Sequence, residues 1–200
     1  MKKITILIIT LFALFTTSCF AQVEAGSGFQ FGIKAGINVA NVTIKTGDAT
    51  FSPKYRYAPT GGFFASLPIG SRDLRIQPEL LYSGLGFRSG DASKAKYTYL
   101  VLPVLLKYAI ANTGVAAYAG PQIGYVLTAK EESGGPVEDV KNALKSTDIA
   151  GIIGVEYTFP VGVTISSRYQ LGFTNIAKES SSEEFAKLNA VTFTVGYRLK

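Results

Sequence analysis

Apolar and polar residues alternate with period two along most of this chain. Phe29, Phe31, Ile33, Ala35, Ile37 and Val39 alternate with Gln30, Gly32, Lys34, Gly36 and Asn38. That is the pattern of a strand with one apolar and one polar face. Similar runs recur over residues 63–69, 74–82, 100–108, 117–127, 149–157, 163–171 and 191–199, so the pattern predicts eight strands. Charge tests the phase of each run. Lys34, Arg75, Glu79, Lys107, Asp148, Glu156, Arg168 and Arg198 all fall on the polar phase, and no Lys, Arg, Asp or Glu falls on the apolar one. Leu102 therefore belongs to the apolar face and Val101, one residue away, to the polar face.

A sheet of this kind suits two architectures. In a soluble sandwich or lipocalin-like barrel the apolar face points inward. In an outer-membrane barrel it points out to lipid and the polar face lines the interior. Two features favour the second. The connections alternate between long, polar segments (41–58, 86–96, 129–146 and 175–187) and short ones (70–73, 109–114 and 158–162), as outer loops and periplasmic turns do. Tyrosines also gather at the strand ends: Tyr108, Tyr157 and Tyr197 at one rim, and Tyr82, Tyr125 and Tyr169 at the other. An apolar ring with a wet hydroxyl suits a membrane interface, so these six form two aromatic girdles. The expected fold is all-β, an eight-stranded antiparallel up-and-down transmembrane β-barrel. Pro78, Pro103 and Pro121 fall inside strands, where each removes a ladder donor, and bulges are expected there.

Composition narrows the function. Among 200 residues there is no His, no Trp and one Cys, Cys19. The absence of His removes the usual general base and the commonest metal ligand, so no catalytic residue, metal site or cofactor is expected. Met1-Lys2-Lys3, an apolar run over 4–15 and a small-residue segment ending at Ala21 read as a signal peptide over 1–21, with the barrel domain over 22–200. Lipidation of Cys19 is the rival reading. Loss of Lys2 and Lys3 lowers the net charge from +6. The remaining cations are dispersed, which argues against a nucleic-acid partner. The expected location is the outer membrane of a bacterial cell, with the lipid bilayer as the first partner and a protein or polysaccharide as a partner of the outer loops.

Several segments also carry a family resemblance. Gln77-Pro78-Glu79-Leu80-Leu81-Tyr82-Ser83, Tyr99-Leu100-Val101-Leu102-Pro103-Val104-Leu105-Leu106-Lys107-Tyr108, Ala119-Gly120-Pro121 and Arg168-Tyr169-Gln170-Leu171-Gly172 resemble the PorT-like outer-membrane β-barrel domain, widespread in Bacteroidetes-type bacteria. The resemblance implies an eight-stranded barrel, accommodates the prolines within strands, and implies little about a task.

The polar phase supplies candidate chemistry. Glu79 and Lys107 lie on one hairpin and are expected to pair across it, with Arg168 as the alternative partner of Glu79. Lys34, Arg75, Asp148, Glu156 and Arg168 complete a structural charge network in a filled lumen, since a barrel of about eight strands has room only for side chains. A narrow solute or ion channel is the competing reading. Asp148 and Glu156 are eight residues apart on one strand, about 27 Å at ~3.4 Å per residue, too far for a carboxylate dyad. Glu131, Glu132, Glu138 and Asp139 lack calcium-loop spacing, and the Gly32-x-x-x-Gly36 pattern lacks a following helix.

Overall fold

The computed structural model describes residues 28–46, 49–51, 54–89, 93–110, 113–133, 135–177 and 184–199. The segment expected to be a signal peptide, with Cys19 and Ala21, lies outside them. Eight long strands follow one another in the chain: β1 (Gln30–Thr46), β2 (Arg56–Ile69), β3 (Ser71–Ser89), β4 (Ser93–Ala109), β5 (Val115–Ser133), β6 (Thr147–Thr158), β7 (Val163–Gly172) and β8 (Glu184–Leu199). Each pairs antiparallel with the next. The ladder from Phe31↔Leu199 to Thr46↔Glu184 joins β1 to β8 and closes the sheet into a barrel. Closure leaves no free edge, as the apolar interior of a bilayer requires.

The side chains divide as the charges do. Ile37, Leu102, Leu106, Ile123, Ile153, Phe193 and Val195 lie exposed on the outer wall, whereas Lys34, Asn38, Gln77, Glu79, Gln122, Glu156, Arg168 and Thr192 are buried within. Of the six tyrosines expected at the rims, Tyr82, Tyr108, Tyr125, Tyr169 and Tyr197 are exposed on the outer wall. Tyr157 is half-buried, its ring 4.7 Å from Phe159 and nearly perpendicular to it.

The strands run much further into the outer connections than period-two alternation suggests. β3 and β5 have 19 residues each, and β1 and β4 have 17, against the 9–11 or so that cross a bilayer. Parts of the segments expected as loops at 41–58, 86–96, 129–146 and 175–187 are therefore strand. A short strand, Ala49–Phe51, folds back on β1. Another, Glu138–Asp139, pairs with β5 and leads into a 3-10 turn at Lys141–Ala143.

The prolines do not make the expected bulges. After Pro78↔Val104 the β3–β4 ladder resumes at Leu81↔Val101 in the same register. After Pro103↔Gln122 the β4–β5 ladder resumes at Leu106↔Ala119, again unshifted, and Pro121 sits opposite Gly151 in an unshifted β5–β6 ladder. A missing N–H removes a bond without adding a residue, and the bonds on either side hold the strands in step. The bulge in the β4–β5 ladder lies elsewhere, where Thr98 faces Thr128 and Tyr99 faces Val126, leaving Leu127 as the extra residue. It resets the phase, so that Ala129 and not Thr128 points inward.

One glycine is required by its backbone. Gly86 has φ +132, and a Cβ there would lie 2.1 Å from the carbonyl oxygen of Ala95. Gly86→Ala should cost on the order of 1–3 kcal/mol in backbone strain, read as a lower urea midpoint in detergent.

Candidate functional site: the barrel interior and its outer end

The lower lumen is polar because every second residue of its strands is polar, and barrel curvature aims those side chains at one another. Glu79 on β3 is the hub. Its Oε1 accepts from Lys34 Nζ of β1 at 2.6 Å and from Gln77 Nε2 at 2.8 Å. Its Oε2 accepts from Arg168 Nη1 of β7 at 3.0 Å. Lys34 also stands over the Phe64 ring, 5.0 Å from its centroid. A second pair joins Lys107 of β4 to Glu156 of β6, and Gln77 links the two groups by accepting from Lys107 at 3.4 Å. All these charged side chains are at least nine-tenths enclosed. Charges so far from water persist only when paired and hydrogen-bonded.

The expected Glu79–Lys107 pair does not form. The β3–β4 register sets Arg75 opposite Lys107 and places Glu79 four residues further along. Lys107 reaches across to Glu156 instead, and Glu79 takes the alternative partner, Arg168, together with Lys34. Two other expected members stand apart. Arg75 lies at the periplasmic end, where its guanidinium donates to Ser66 Oγ and Ser66 O at 2.8 Å and to Gly28 O. Asp148 lies far up β6, opposite Gly124, while Glu156 lies opposite Ala116. Its Oδ1 has no hydrogen-bond partner among the described residues.

Above this network the lumen changes character. Val42, Leu81, Leu85, Tyr97, Tyr99, Val101, Val126 and Leu188 form a buried apolar cluster, joined by Leu144 and Ile176 from the third and fourth outer connections. Backbone bonds hold those connections in place: Lys145 N donates to Ile176 O at 2.8 Å and Ile176 N to Ala186 O at 2.9 Å. The expectation of a uniformly polar interior fails here, and Val101 points into an apolar core. The signal was available: near Leu80-Leu81 and Leu100-Val101-Leu102 both phases are apolar. Tyr97 brings a polar tip to the cluster, its hydroxyl donating to Glu131 at 2.6 Å. Burial, then that bond, pushes its phenol well above the ordinary value, so it stays a donor.

Between the two layers, Asn38 donates to Ser83 Oγ at 2.9 Å and to Gly84 O at 2.7 Å, and it accepts from Thr192 at 2.8 Å. Crevices of about 650 and 560 Å³ are lined chiefly by bilayer-facing residues, among them Ile37, Val155, Phe193, Leu106 and Tyr169. Among the described residues, no group of three or more His, Cys, Asp or Glu side chains is placed to hold a metal ion.

The fold is shared with proteins of known structure. Neisserial surface protein A superposes with a TM-score of 0.56 at 15% identity, covering 88% of this chain and all of its own. Ail, the attachment invasion locus protein of Yersinia pestis, superposes at 0.51 and 17% identity, covering 85% of this chain and 98% of Ail. A second Ail structure, in complex with the heparin analogue sucrose octasulfate, gives 0.51 at 16% identity and covers 86% of this chain and 99% of that one. No curated protein matches the chain in sequence. Residues 20–178 match the model of the outer membrane protein beta-barrel domain. With a closed eight-stranded barrel, an apolar outer wall and that match, the chain belongs to the outer membrane protein beta-barrel domain family and resides in the bacterial outer membrane.

Proposed function

We propose that this barrel has a blocked lumen, catalyses no reaction, and acts through its outer surface on a protein or polysaccharide partner. The observation that carries the reading is the double filling of the interior. The ion cluster around Glu79 draws side chains from β1, β3 and β7 to one point, and the apolar cluster with Leu144 and Ile176 lies above it. Neither layer resembles a wet path, because a permeating ion would have to displace paired charges and then cross a dry segment. The absence of His throughout the sequence supports a role without catalysis. The strands that continue past the hydrocarbon lift the outer connections clear of it, where a partner can reach them. The segments 77–83 and 99–108 support the finer PorT-like kinship.

Purified protein reconstituted in planar bilayers should give no steady current. Stable, large-step conductance would overturn the blocked lumen.

A further inference from the structure

Strand pairing at the outer end sets cation against cation. Lys54 bridges Arg88 through two backbone bonds of 2.8 and 3.0 Å. Arg88 in turn faces Lys94 on β4, and two residues along, Lys96 faces Lys130 on β5. Like charges directly opposite one another destabilise a sheet, yet three such pairs lie side by side across β3, β4, β5 and the bridge that Lys54 adds to their edge. Acidic relief is partial. Glu132 faces Lys94 and lies 3.6 Å from Lys96, with both side chains well exposed. Asp139 faces Lys130, but its Oδ1 accepts from the backbone N–H of Lys141. Glu138 is exposed beside it. On the opposite wall, the outward faces of β6 and β7 carry no Lys or Arg.

The height of this basic shelf is set by the tyrosines beneath it. Arg88 is six ladder rows beyond Tyr82, and Lys130, with the bulged Leu127 discounted, is four beyond Tyr125. At ~3.4 Å per row and a tilt of about 40°, that is roughly 10–16 Å outside the aromatic ring. The shelf thus stands in the layer of sugars and phosphates over the hydrocarbon. Tyr55 and Tyr57, 61% and 70% exposed, flank it with rings open to solvent. Aromatic faces pack against sugar rings, and clustered Lys and Arg bind phosphate.

We propose that the outer wall of β2–β5 binds the phosphate-bearing sugar headgroup of an outer-leaflet glycolipid. The phosphates would sit among Arg88, Lys94, Lys96 and Lys130, turning a repulsive array into an attractive one. This deepens the reading of the outer surface as the working one and is independent of whether the lumen conducts.

The test uses the full chain in phosphatidylcholine nanodiscs doped with diphosphoryl lipid A, with dephosphorylated lipid A, or with phosphatidylglycerol at matched charge, and native mass spectrometry counts retained lipid. Diphosphoryl lipid A should be retained roughly tenfold better than either alternative, and the triple variant Arg88→Gln, Lys94→Gln, Lys96→Gln should lose roughly that factor. The variant must keep its heat-dependent gel shift, which reports a closed barrel. If it does not, Lys130→Gln alone should still weaken retention about threefold. Equal retention of phosphatidylglycerol, or full retention by folded variants, overturns the proposal. So does displacement by a soluble sulfated oligosaccharide in preference to lipid A, an outcome that would leave the outer surface as the working one but assign it a free glycan.

Discussion

Exchanging Glu79 for Gln is expected to destabilise the barrel by about 3–5 kcal/mol, the usual result of stranding a buried charge. The cost arises from what remains. Lys34 and Arg168 both rest on the Glu79 carboxylate, at 2.6 and 3.0 Å, in a lumen that excludes water from all three. A neutral amide cannot balance two cations. Removing one cation should therefore restore part of the loss: Glu79→Gln with Arg168→Met should be more stable than the sum of the single changes by about 0.5–3 kcal/mol. Lys107→Met should behave differently, because its partner is Glu156. It should be destabilising alone and close to additive with Glu79→Gln. Urea-unfolding cycles in detergent measure both. Coupling of Lys107 to Glu79 as strong as that of Arg168 would refute the Glu79–Arg168 pairing.

Lysine at position 102 and lysine at position 101 should both be damaging, for different reasons. Leu102 is 42% exposed on the outer wall, and an ammonium group facing mid-bilayer lipid costs about 2–4 kcal/mol. Val101 is 2% exposed within the upper apolar cluster, where an unpaired charge costs at least as much. Alanine separates the two environments. At 101 it leaves a cavity in a packed core and should cost roughly 1–3 kcal/mol. At 102 lipid tails fill the space, and the loss should be well under that. A mild Val101→Lys, with a costly Leu102→Ala, would show that the two faces have been exchanged.

The eight strands and the face each turns to the bilayer were legible because burial on one side imposes period two, and the scattered charges of Lys34, Glu79, Lys107 and Arg168 report the phase independently. Register was not legible. Phase places Glu79 and Lys107 on the inner face, but the ladder between them ends at Ser89↔Ser93, so Lys107 falls opposite Arg75. Nor can neighbouring strands reveal contacts across a lumen: Lys34 and Arg168 reach Glu79 through the closed curvature of the whole sheet. The upper core was hidden differently. Leu81, Leu85 and Val101 occupy the phase that carries charge lower down, so an average over each strand masks a change from polar to apolar along the axis. The strand extensions were not legible because their outer faces are polar and Gly and Ser recur in the sequence around them.

The bonds to Glu79 also bear on how the chain enters the membrane. The carboxylate belongs to β3, but its cations come from β1 and β7, and Lys107 of β4 finds its acid on β6. A sheet of the first four strands would hold Lys107 with no acid of its own and Glu79 without Arg168. The arrival of β6 brings Glu156 to Lys107, and the arrival of β7 brings Arg168 to Glu79. A sheet that stops short of β7 is thus penalised wherever its concave side is withdrawn from water, whatever lipid covers the other, which favours assembly through that strand.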